Sequence, residues 1–264
     1  MRWILSEEGK PALEALARDR ALIAFDYDGT LAPIVDDRTR AEMAPDTRVL
    51  LRVVALLYPS AVVSGRSRAD VSRRLDGIPL VAFVGSHGAE AGFGPVDRAP
   101  RAVVAAWRAQ VTPRIAETPG LELEDKGLAL AFHYRRAPDR AAAARAAHEL
   151  ASELPGARVF GGHEVVNAVP EDAPTKGGAV VELLERTGCR SALYVGDDVT
   201  DEDAFRAPGV AVSIRVGEDP ASAAGWFLRS QAEVNDLLRA LVNERRHLDG
   251  RNERVEGLLR AVRS

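Results

Sequence analysis

Short apolar runs alternate with helical patterns along the first third of the chain. Residues 21–26, 60–64 and 80–85 are almost continuous in apolar side chains, which is typical of strands covered on both faces of a sheet. Between these runs, residues 45–57 and 68–75 place apolar side chains at helical spacing. The alternation predicts a parallel, doubly wound α/β sheet of Rossmann-like type.

The middle of the chain departs from this pattern. Residues 91–100 are rich in Gly and Pro and predict a linker, and helices are predicted over residues 101–117 and 139–154. Four short strand candidates accompany them, at residues 121–124, 128–134, 158–160 and 165–169. Neighbouring strands with helices around them predict an α+β unit that is distinct from the first.

The first pattern returns after residue 170. Further strands and helices are predicted over residues 177–186, 192–195, 201–206, 210–214, 226–228 and 232–248. The charged segment from residue 251 onward carries apolar residues at helical spacing. We therefore predict an α/β core made of residues 1–93 and 170–264, with a second, α+β domain inserted at residues 94–169.

Composition excludes several classes of protein. The chain has 264 residues and a formal net charge of −4, which argues against a general nucleic-acid binder. Cys189 is the only cysteine, so no disulfide can form within the chain. The apolar runs are far shorter than the ~20 residues that span a bilayer, and the N-terminus lacks the apolar stretch of a signal peptide. We expect a soluble, cytoplasmic protein that binds neither membrane nor nucleic acid.

Candidate chemistry lies at the ends of the predicted strands. Asp26 and Asp28 stand in the sequence DYDGTL directly after the first buried strand, where open α/β sheets place their active sites. One carboxylate can attack as a nucleophile while its neighbour transfers protons, and two close carboxylates favour a divalent cation. The same residues also fit an ordinary turn with capping aspartates.

Three further motifs follow in chain order. Ser64, Gly65 and Arg66 form a strand-end loop that can seat a phosphate, although Ser-Gly is also a common turn. Lys176 can neutralise a phosphate, although by itself a surface lysine is the simpler interpretation. Five of the seven residues that begin at Asp197 are acidic, a density that suits Mg²⁺. Together the four motifs supply the nucleophile, acid, hydroxyl, lysine and metal-binding carboxylates of a phosphoryl-transfer site.

In this order, DYDGTL, SGR, KG and GDDVTDEDAF resemble the four motifs of the haloacid dehalogenase superfamily. Finer matches, DYDGTLAPI, GSHGAE, EDKGLALAFHYR and GDDVTDEDAF, resemble the trehalose-6-phosphate phosphatase family over about residues 22–238. The resemblance implies a haloacid dehalogenase core with an inserted cap. It also implies Mg²⁺-dependent hydrolysis of trehalose 6-phosphate to trehalose and phosphate through an aspartyl-phosphate, in trehalose biosynthesis. A trehalose-6-phosphate synthase of the same pathway is the expected protein partner.

The resemblance further implies roles for the acidic residues. Asp26 would be the nucleophile, and Asp28 the general acid and then the general base. Mg²⁺ would be held by Asp26, by the Asp28 backbone carbonyl and by Asp197. Asp198 and Asp201 would support these ligands.

The remaining implied roles concern the substrate. The predicted phosphate ligands are Thr30, Ser64, Gly65 and Lys176. The predicted sugar contacts, some of them in the cap, are Arg66, His87, Glu90, Glu124, Lys126 and Asn167. Asn167 departs from the family pattern, which has a glutamate there; an amide can bond a hydroxyl but carries no charge. Glu164 is expected on the opposite strand face and so is a poor substitute, and His133 is interpreted as structural.

Three functions remain open on the sequence alone. The first is trehalose-6-phosphate phosphatase. The second is a relative acting on another sugar phosphate, such as a sucrose-phosphate or mannosyl-phosphoglycerate phosphatase or a hexose phosphomutase. The third is a non-catalytic, sugar-phosphate-binding regulator of a synthase, which predicts damage among Asp26, Asp28, Lys176 and Asp197. All four are intact.

The rarity of lysine singles out two positions. Of 35 cationic side chains, only Lys10, Lys126 and Lys176 are lysines, and the last two fall in the motifs. An ammonium and a planar guanidinium are not interchangeable. We expect Lys126→Arg and Lys176→Arg to reduce turnover and Lys10→Arg to be silent.

Overall fold

Two sheets organise the molecule, and the computed structural model describes residues 1–35, 38–90, 93, 100–162 and 164–249. In chain order the strands are β1 (Arg2–Trp3), β2 (Ala21–Phe25), β3 (Ser60–Val63), β4 (Ala82–Val84), β5 (Glu122–Asp125), β6 (Leu130–His133), β7 (Ala157–Gly162), β8 (Val165–Pro170), β9 (Ser191–Gly196), β10 (Val210–Val216) and β11 (Trp226–Leu228). The helices are α1 (Lys10–Arg18), α2 (Pro45–Leu57), α3 (Arg68–Arg74), α4 (Pro100–Ile115), α5 (Arg140–Ser152), α6 (Lys176–Thr187), α7 (Glu202–Phe205) and α8 (Val234–Asp249).

The larger sheet is parallel, with strand order β1-β11-β10-β9-β2-β3-β4. Side chains of β2 alternate between two cores, because successive residues of a strand point to opposite faces. Ile23 and Phe25 pack in the core that α1, α2 and α8 cover, whereas Leu22 and Ala24 pack in the core beneath α6. Both faces of the sheet are therefore covered, which confirms the doubly wound α/β prediction and explains the unbroken apolar run.

The smaller sheet is antiparallel, with strand order β5-β6-β8-β7. Helices α4 and α5 contribute Trp107 and Leu150 to a separate core with Phe132 and Val166 of the sheet. The indole Nε1 of Trp107 donates to the carbonyl of Pro155 at 3.1 Å. This unit confirms the inserted α+β cap predicted from the sequence, and its exact boundaries stay a prediction.

The pattern missed two elements at the N-terminus. Strand β1 pairs with β11 at the sheet edge but has two residues, too few for any periodicity to show. Helix α1 was not predicted, although the residues that it buries, Leu13, Leu16 and Ala17, stand at helical spacing in the sequence. The helix predicted over residues 45–57 is confirmed from end to end. Most of the linker predicted over residues 91–100, and the helical stripe predicted from residue 251, lie outside the described residues.

Candidate active site

The carboxyl ends of β2, β3 and β9 bring the predicted motifs together. Asp26 follows β2 directly, and its N–H donates to the carbonyl of Val195 on the neighbouring β9 at 2.8 Å. Ser64 follows β3, and Asp197 follows β9. Because neighbouring parallel strands end at the same edge, residues far apart in sequence meet there, at the switch between the two halves of the sheet.

A buried lysine joins two of the carboxylates. Lys176 Nζ lies 2.9 Å from Asp26 Oδ2 and 2.8 Å from Asp201 Oδ1, and the lysine side chain is 2% exposed. Burial would lower the pKa of Lys176, but the two adjacent carboxylates raise it above its ordinary value, so the ammonium is charged. Burial and the charge of Asp201 raise the pKa of Asp26 to about 7 against the opposing effect of Lys176. The site thus holds Asp26 in a strongly desolvated position.

Three carboxylates form a candidate cation site. Asp26, Asp197 and Asp201 each offer an oxygen, and these oxygens lie within 4.8 Å of one another. Asp201 already accepts four hydrogen bonds: from Lys176, from the Tyr194 hydroxyl at 2.7 Å, and from two backbone N–H groups of its own turn. These bonds occupy most of the lone pairs of the Asp201 carboxylate oxygens, so Asp201 has little capacity left to bind a cation. Asp26 and Asp197 are therefore the better candidates for metal ligands.

The donor set fits a divalent cation. Burial and the neighbouring carboxylates Asp26 and Asp201 raise the pKa of Asp197 well above its ordinary value, which is the cost of gathering like charges. A Cβ on Gly29 would lie 2.0 Å from Asp197 Oδ2, and Gly29 has a φ of +76°. Glycine at this position therefore lets the Asp197 carboxylate pack against the turn that carries Asp28. Hard carboxylate oxygens at this spacing suit an ion such as Mg²⁺ or Ca²⁺.

Asp28 is held by Arg66. The guanidinium donates from Nε to Oδ2 at 2.7 Å and from Nη2 to Oδ1 at 2.6 Å, a bidentate arrangement. Burial would lower the pKa of Arg66, but Asp28 and Asp70 together raise it. The Asp28 side chain is still 38% exposed, so it is accessible while Arg66 holds it.

A cavity of about 810 Å³ lies between the edge of the larger sheet and the smaller sheet. Eleven of the predicted site residues line it: Asp26, Asp28, Gly65, Arg66, His87, Glu124, Lys126, Asn167, Lys176, Asp197 and Asp198. The structure therefore brings together most of the residues that the motifs singled out, from both the core and the cap.

Four predicted residues lie outside the lining of this cavity: Thr30, Ser64, Glu90 and Asp201. Thr30 is fully buried, and its hydroxyl donates to Asp197 Oδ1 at 3.5 Å. Glu90 accepts from the Arg68 N–H at 2.5 Å and from the Ser86 hydroxyl at 3.1 Å, so its carboxylate is engaged within the core. The phosphate contacts predicted for Thr30 and Ser64 and the sugar contact predicted for Glu90 stay predictions.

The tip of the β5–β6 hairpin connects the cap to the core. Lys126 lies in the turn of this hairpin, and its Nζ donates to the carbonyl of Gly65 at 2.9 Å. Gly65 belongs to the loop after β3, and a Cβ there would lie 2.4 Å from the His87 ring. The backbone N–H of His87 donates to the carbonyl of Ser64 at 3.0 Å. Two strand-end loops of the core and one turn of the cap therefore meet at one point.

His87 and Asn167 present buried polar atoms to the cavity. Both ring nitrogens of His87 and the side-chain oxygen of Asn167 are buried without a hydrogen-bond partner among the described residues. Burial and the charges of Lys126 and Lys176 lower the pKa of His87 well below its ordinary value, and the adjacent Asn167 opposes this only weakly. Buried polar groups of this kind are costly to leave without hydrogen bonds, and both residues line the cavity.

Sequence reasoning missed eight ionisable residues of the cavity lining: Asp70, Arg73, Arg74, Glu122, His133, Arg135, Arg136 and Glu164. His133 Nε2 contacts Glu124 Oε2 at 3.1 Å, so it is satisfied, as a structural histidine would be, yet it lines the cavity. Glu164 precedes β8 with a φ of +56°, so strand alternation does not apply to it. Its expected place on the face opposite Asn167 is wrong, because both residues line the cavity. It accepts from Arg135 at 2.8 Å.

Comparison with solved structures defines the class. A haloacid dehalogenase superfamily (subclass IIB) sugar phosphatase matches with a TM-score of 0.59 at 14% identity, over 87% of this chain and 99% of that one, and so shows the fold. The two chains thus share a fold, a parallel α/β core with an inserted second unit. The C-terminal domain of Candida albicans trehalose-6-phosphate phosphatase matches with a TM-score of 0.72 at 25% identity, over 89% and 96% of the two chains.

Comparison with known sequences defines the family. The family model described as trehalose-phosphatase matches residues 24–231. Trehalose-phosphate phosphatase of Mycobacterium marinum is 35% identical over 257 residues, which cover 88% of this chain and 66% of that protein. The chain belongs to the trehalose-phosphatase family, as the motifs predicted. It spans just under two thirds of the length of this relative.

Proposed function

We propose that the protein hydrolyses trehalose 6-phosphate to trehalose and phosphate. The observation that carries the proposal is the cluster formed by the buried Asp26 and Lys176 and the half-buried Asp197. This cluster faces a cavity whose other wall is a polar cap. The cavity volume of about 810 Å³ is within the ~300–1,000 Å³ range of small-molecule sites. The choice of trehalose 6-phosphate as the substrate follows from the names of the relatives.

The proposed chemistry proceeds in two displacements on phosphorus. An Asp26 carboxylate oxygen attacks the phosphorus, the bond to the sugar oxygen breaks, and Asp28, the proposed general acid, supplies a proton to that oxygen, which releases trehalose. A water molecule then attacks the aspartyl-phosphate, Asp28 takes a proton from the water, and phosphate leaves. Lys176 stabilises the negative charge that gathers around Asp26, because its ammonium is buried and preorganised.

We propose Mg²⁺ as the cofactor, held by Asp26, the Asp28 carbonyl and Asp197, with Asp198 and Asp201 supporting them. The crowded carboxylates, whose mutual repulsion a cation would relieve, support this assignment. When bound, the ion neutralises charge on the phosphoryl oxygens and orients them. The phosphate ligands are then Thr30, Ser64, Gly65 and Lys176.

The cap is proposed to bind the sugar. Residues 94–169 form the mobile unit in this proposal, and residues 1–93 and 170–264 form the core. Glu124, Lys126 and Asn167 reach the cavity from the cap, and His87 faces them from the core. The hydrogen bond from Lys126 to Gly65 supports a closed position in which the cap excludes water from the site.

A second candidate is a phosphatase or phosphomutase for another sugar phosphate. Asn167 favours it, because a buried neutral amide stands where the family pattern has a carboxylate. The non-catalytic regulator is disfavoured, because Asp26, Lys176 and Asp197 are all present and clustered.

The cellular setting is also a proposal. Among the described residues, no helix combines the length and the apolar character needed to cross a bilayer. We propose a cytoplasmic location, where a trehalose-6-phosphate synthase would supply the substrate.

A phosphate-release panel with Mg²⁺ tests the proposal. Trehalose 6-phosphate, sucrose 6-phosphate and glucose 6-phosphate are compared at equal concentration, and we expect trehalose 6-phosphate to be preferred. Asp26→Asn is the control, and it should abolish phosphate release while its circular dichroism spectrum matches that of the wild type. Equal turnover of all three substrates, or none of trehalose 6-phosphate, would refute the proposal. Interconversion of hexose phosphates would identify a mutase.

A further inference from the structure

One face of the cap sheet forms a wall of the cavity. Alternate residues of β5, β6 and β8 lie on this face, because successive side chains of a strand point to opposite sides, and Glu124, His133 and Asn167 are among them. The opposite face, which carries Phe132 and Val166, packs in the apolar core of the cap. The polar side chains of the wall are therefore mounted on strands that the cap core holds in place.

His133 and Glu124 contact each other within this wall. Glu124 lies opposite Ala131 in the register of β5 and β6, and His133 is two residues further along β6, so the two side chains are diagonal neighbours on one face. His133 Nε2 lies 3.1 Å from Glu124 Oε2, and the two side chains are 22% and 30% exposed. An ionised carboxylate can only accept a hydrogen bond, so Nε2 is the donor in this contact.

The contact orients a flexible side chain. A glutamate loses much rotamer freedom when it is fixed, and a ligand that has to fix it binds less tightly. Here the imidazole already holds one oxygen of Glu124, and Lys126, two residues further on, ties the end of the hairpin to the Gly65 carbonyl. A carboxylate has about four lone-pair sites, so it can accept from His133 and from a hydroxyl group at the same time.

We propose that His133 is a positioning residue for substrate specificity: it holds the Glu124 carboxylate toward the cavity, where the carboxylate accepts a hydroxyl of the sugar part of the substrate. This role rests on the proposed function, in which Glu124 contacts the sugar, and it extends the structural role that the sequence suggested for His133. The phosphoryl group reacts at Asp26, at the edge of the larger sheet, so His133 should affect the binding of the sugar and not the chemistry.

His133→Leu is the test variant. We expect KM for trehalose 6-phosphate to rise about 3- to 10-fold and kcat to change less than about 2-fold, because the substrate must then order Glu124 when it binds. For p-nitrophenyl phosphate, which carries no sugar, kcat/KM should change less than about 2-fold. His133→Gln should restore KM, since its amide nitrogen can donate in place of Nε2. His148→Leu, at an exposed histidine of α5, is the matched control and should behave as the wild type on both substrates.

A double-mutant cycle tests whether His133 acts through Glu124. Glu124→Ala removes the carboxylate itself, so it should raise KM for trehalose 6-phosphate at least as much as His133→Leu. Adding His133→Leu to Glu124→Ala should change KM by less than about 2-fold, because no carboxylate remains to be positioned. If thermal denaturation shows that His133→Leu does not fold, His133→Asn replaces it, because the shorter amide does not reach Glu124.

Equal losses of kcat/KM on the two phosphates, or a wild-type KM in His133→Leu, would overturn the inference. So would a further change of more than about 2-fold in the Glu124→Ala background, or a wild-type KM in Glu124→Ala alone, and these results would leave the proposed phosphatase function intact. A wild-type protein that is inactive on trehalose 6-phosphate but active on another sugar phosphate would refute the proposed function, and the same cycle with that substrate would still decide the role of His133. Absence of activity on every sugar phosphate would overturn both.

Discussion

Replacing Lys176 by methionine removes the ammonium that contacts both Asp26 and Asp201 and leaves a side chain of similar length. The contacts are 2.9 and 2.8 Å long, and both carboxylates are buried. At an effective dielectric constant of ~20, each contact is worth about 6 kcal/mol of Coulomb energy, most of which the burial of the charges offsets. Removing one partner of a buried pair leaves the other charge uncompensated, at a net cost of about 3–5 kcal/mol.

We therefore expect the free energy of unfolding of Lys176→Met to be lower by about 3–5 kcal/mol, measured by urea denaturation at neutral pH without divalent cations. Phosphate release from trehalose 6-phosphate should fall at least about 100-fold, because a preorganised positive charge next to Asp26 is lost. Lys10→Met, on the exposed start of α1, is the matched control. A stability within about 1 kcal/mol of the wild type would contradict the assignment of Lys176 as the counter-ion of both carboxylates.

Two further predictions concern the cavity wall. Lys126→Arg should lower kcat/KM for trehalose 6-phosphate about tenfold, the equivalent of ~1.4 kcal/mol, because the larger guanidinium does not reproduce the hydrogen bond to Gly65. Lys10→Arg is the control and should leave kcat/KM unchanged. Wild-type kinetics for both variants would mean that the occurrence of lysine at position 126 is coincidental. His87 is neutral when folded and takes up a proton when unfolded below its ordinary pKa of ~6.5, so stability should fall as pH decreases below that value. In His87→Gln, the free energy of unfolding should fall less steeply with decreasing pH than in the wild type, by up to ~1.4 kcal/mol per pH unit. Guanidinium chloride denaturation at several pH values measures this dependence. Equal slopes for the variant and the wild type would contradict a buried, neutral His87 imidazole.

The prediction of elements succeeded where the pattern is local. Residues 45–57 show helical spacing, and they form α2 with the predicted bounds. The unbroken apolar run of β2 indicated that both faces of its sheet are covered, as the structure shows. The two-residue strand β1 carries no such pattern, and it forms because β11 offers a neighbouring edge.

The candidate site was predicted as a set of residues, but not as a set of contacts. The motifs identified Asp28 and Arg66 separately, and the structure joins them in a bidentate pair. The structure shows that Asp201 accepts four hydrogen bonds, and its predicted role in supporting the metal ligands stays a prediction. The strand face expected for Glu164, opposite Asn167, was wrong, because the backbone leaves the strand conformation just before β8.

The sequence alone determined most of the strands and helices after β1 and α1, the family, and the residues that carry charge at the strand ends. Periodicity predicts the elements because it depends on neighbours within a few turns of chain, and the family follows from the order of short motifs that can be read directly in the sequence. Only the tertiary structure decided that Lys126 reaches Gly65, 61 residues away, and that Arg66 pairs with both Asp28 and Asp70. These contacts depend on how the cap folds over the sheet and how loops meet at its edge, which is set by the packing of distant segments.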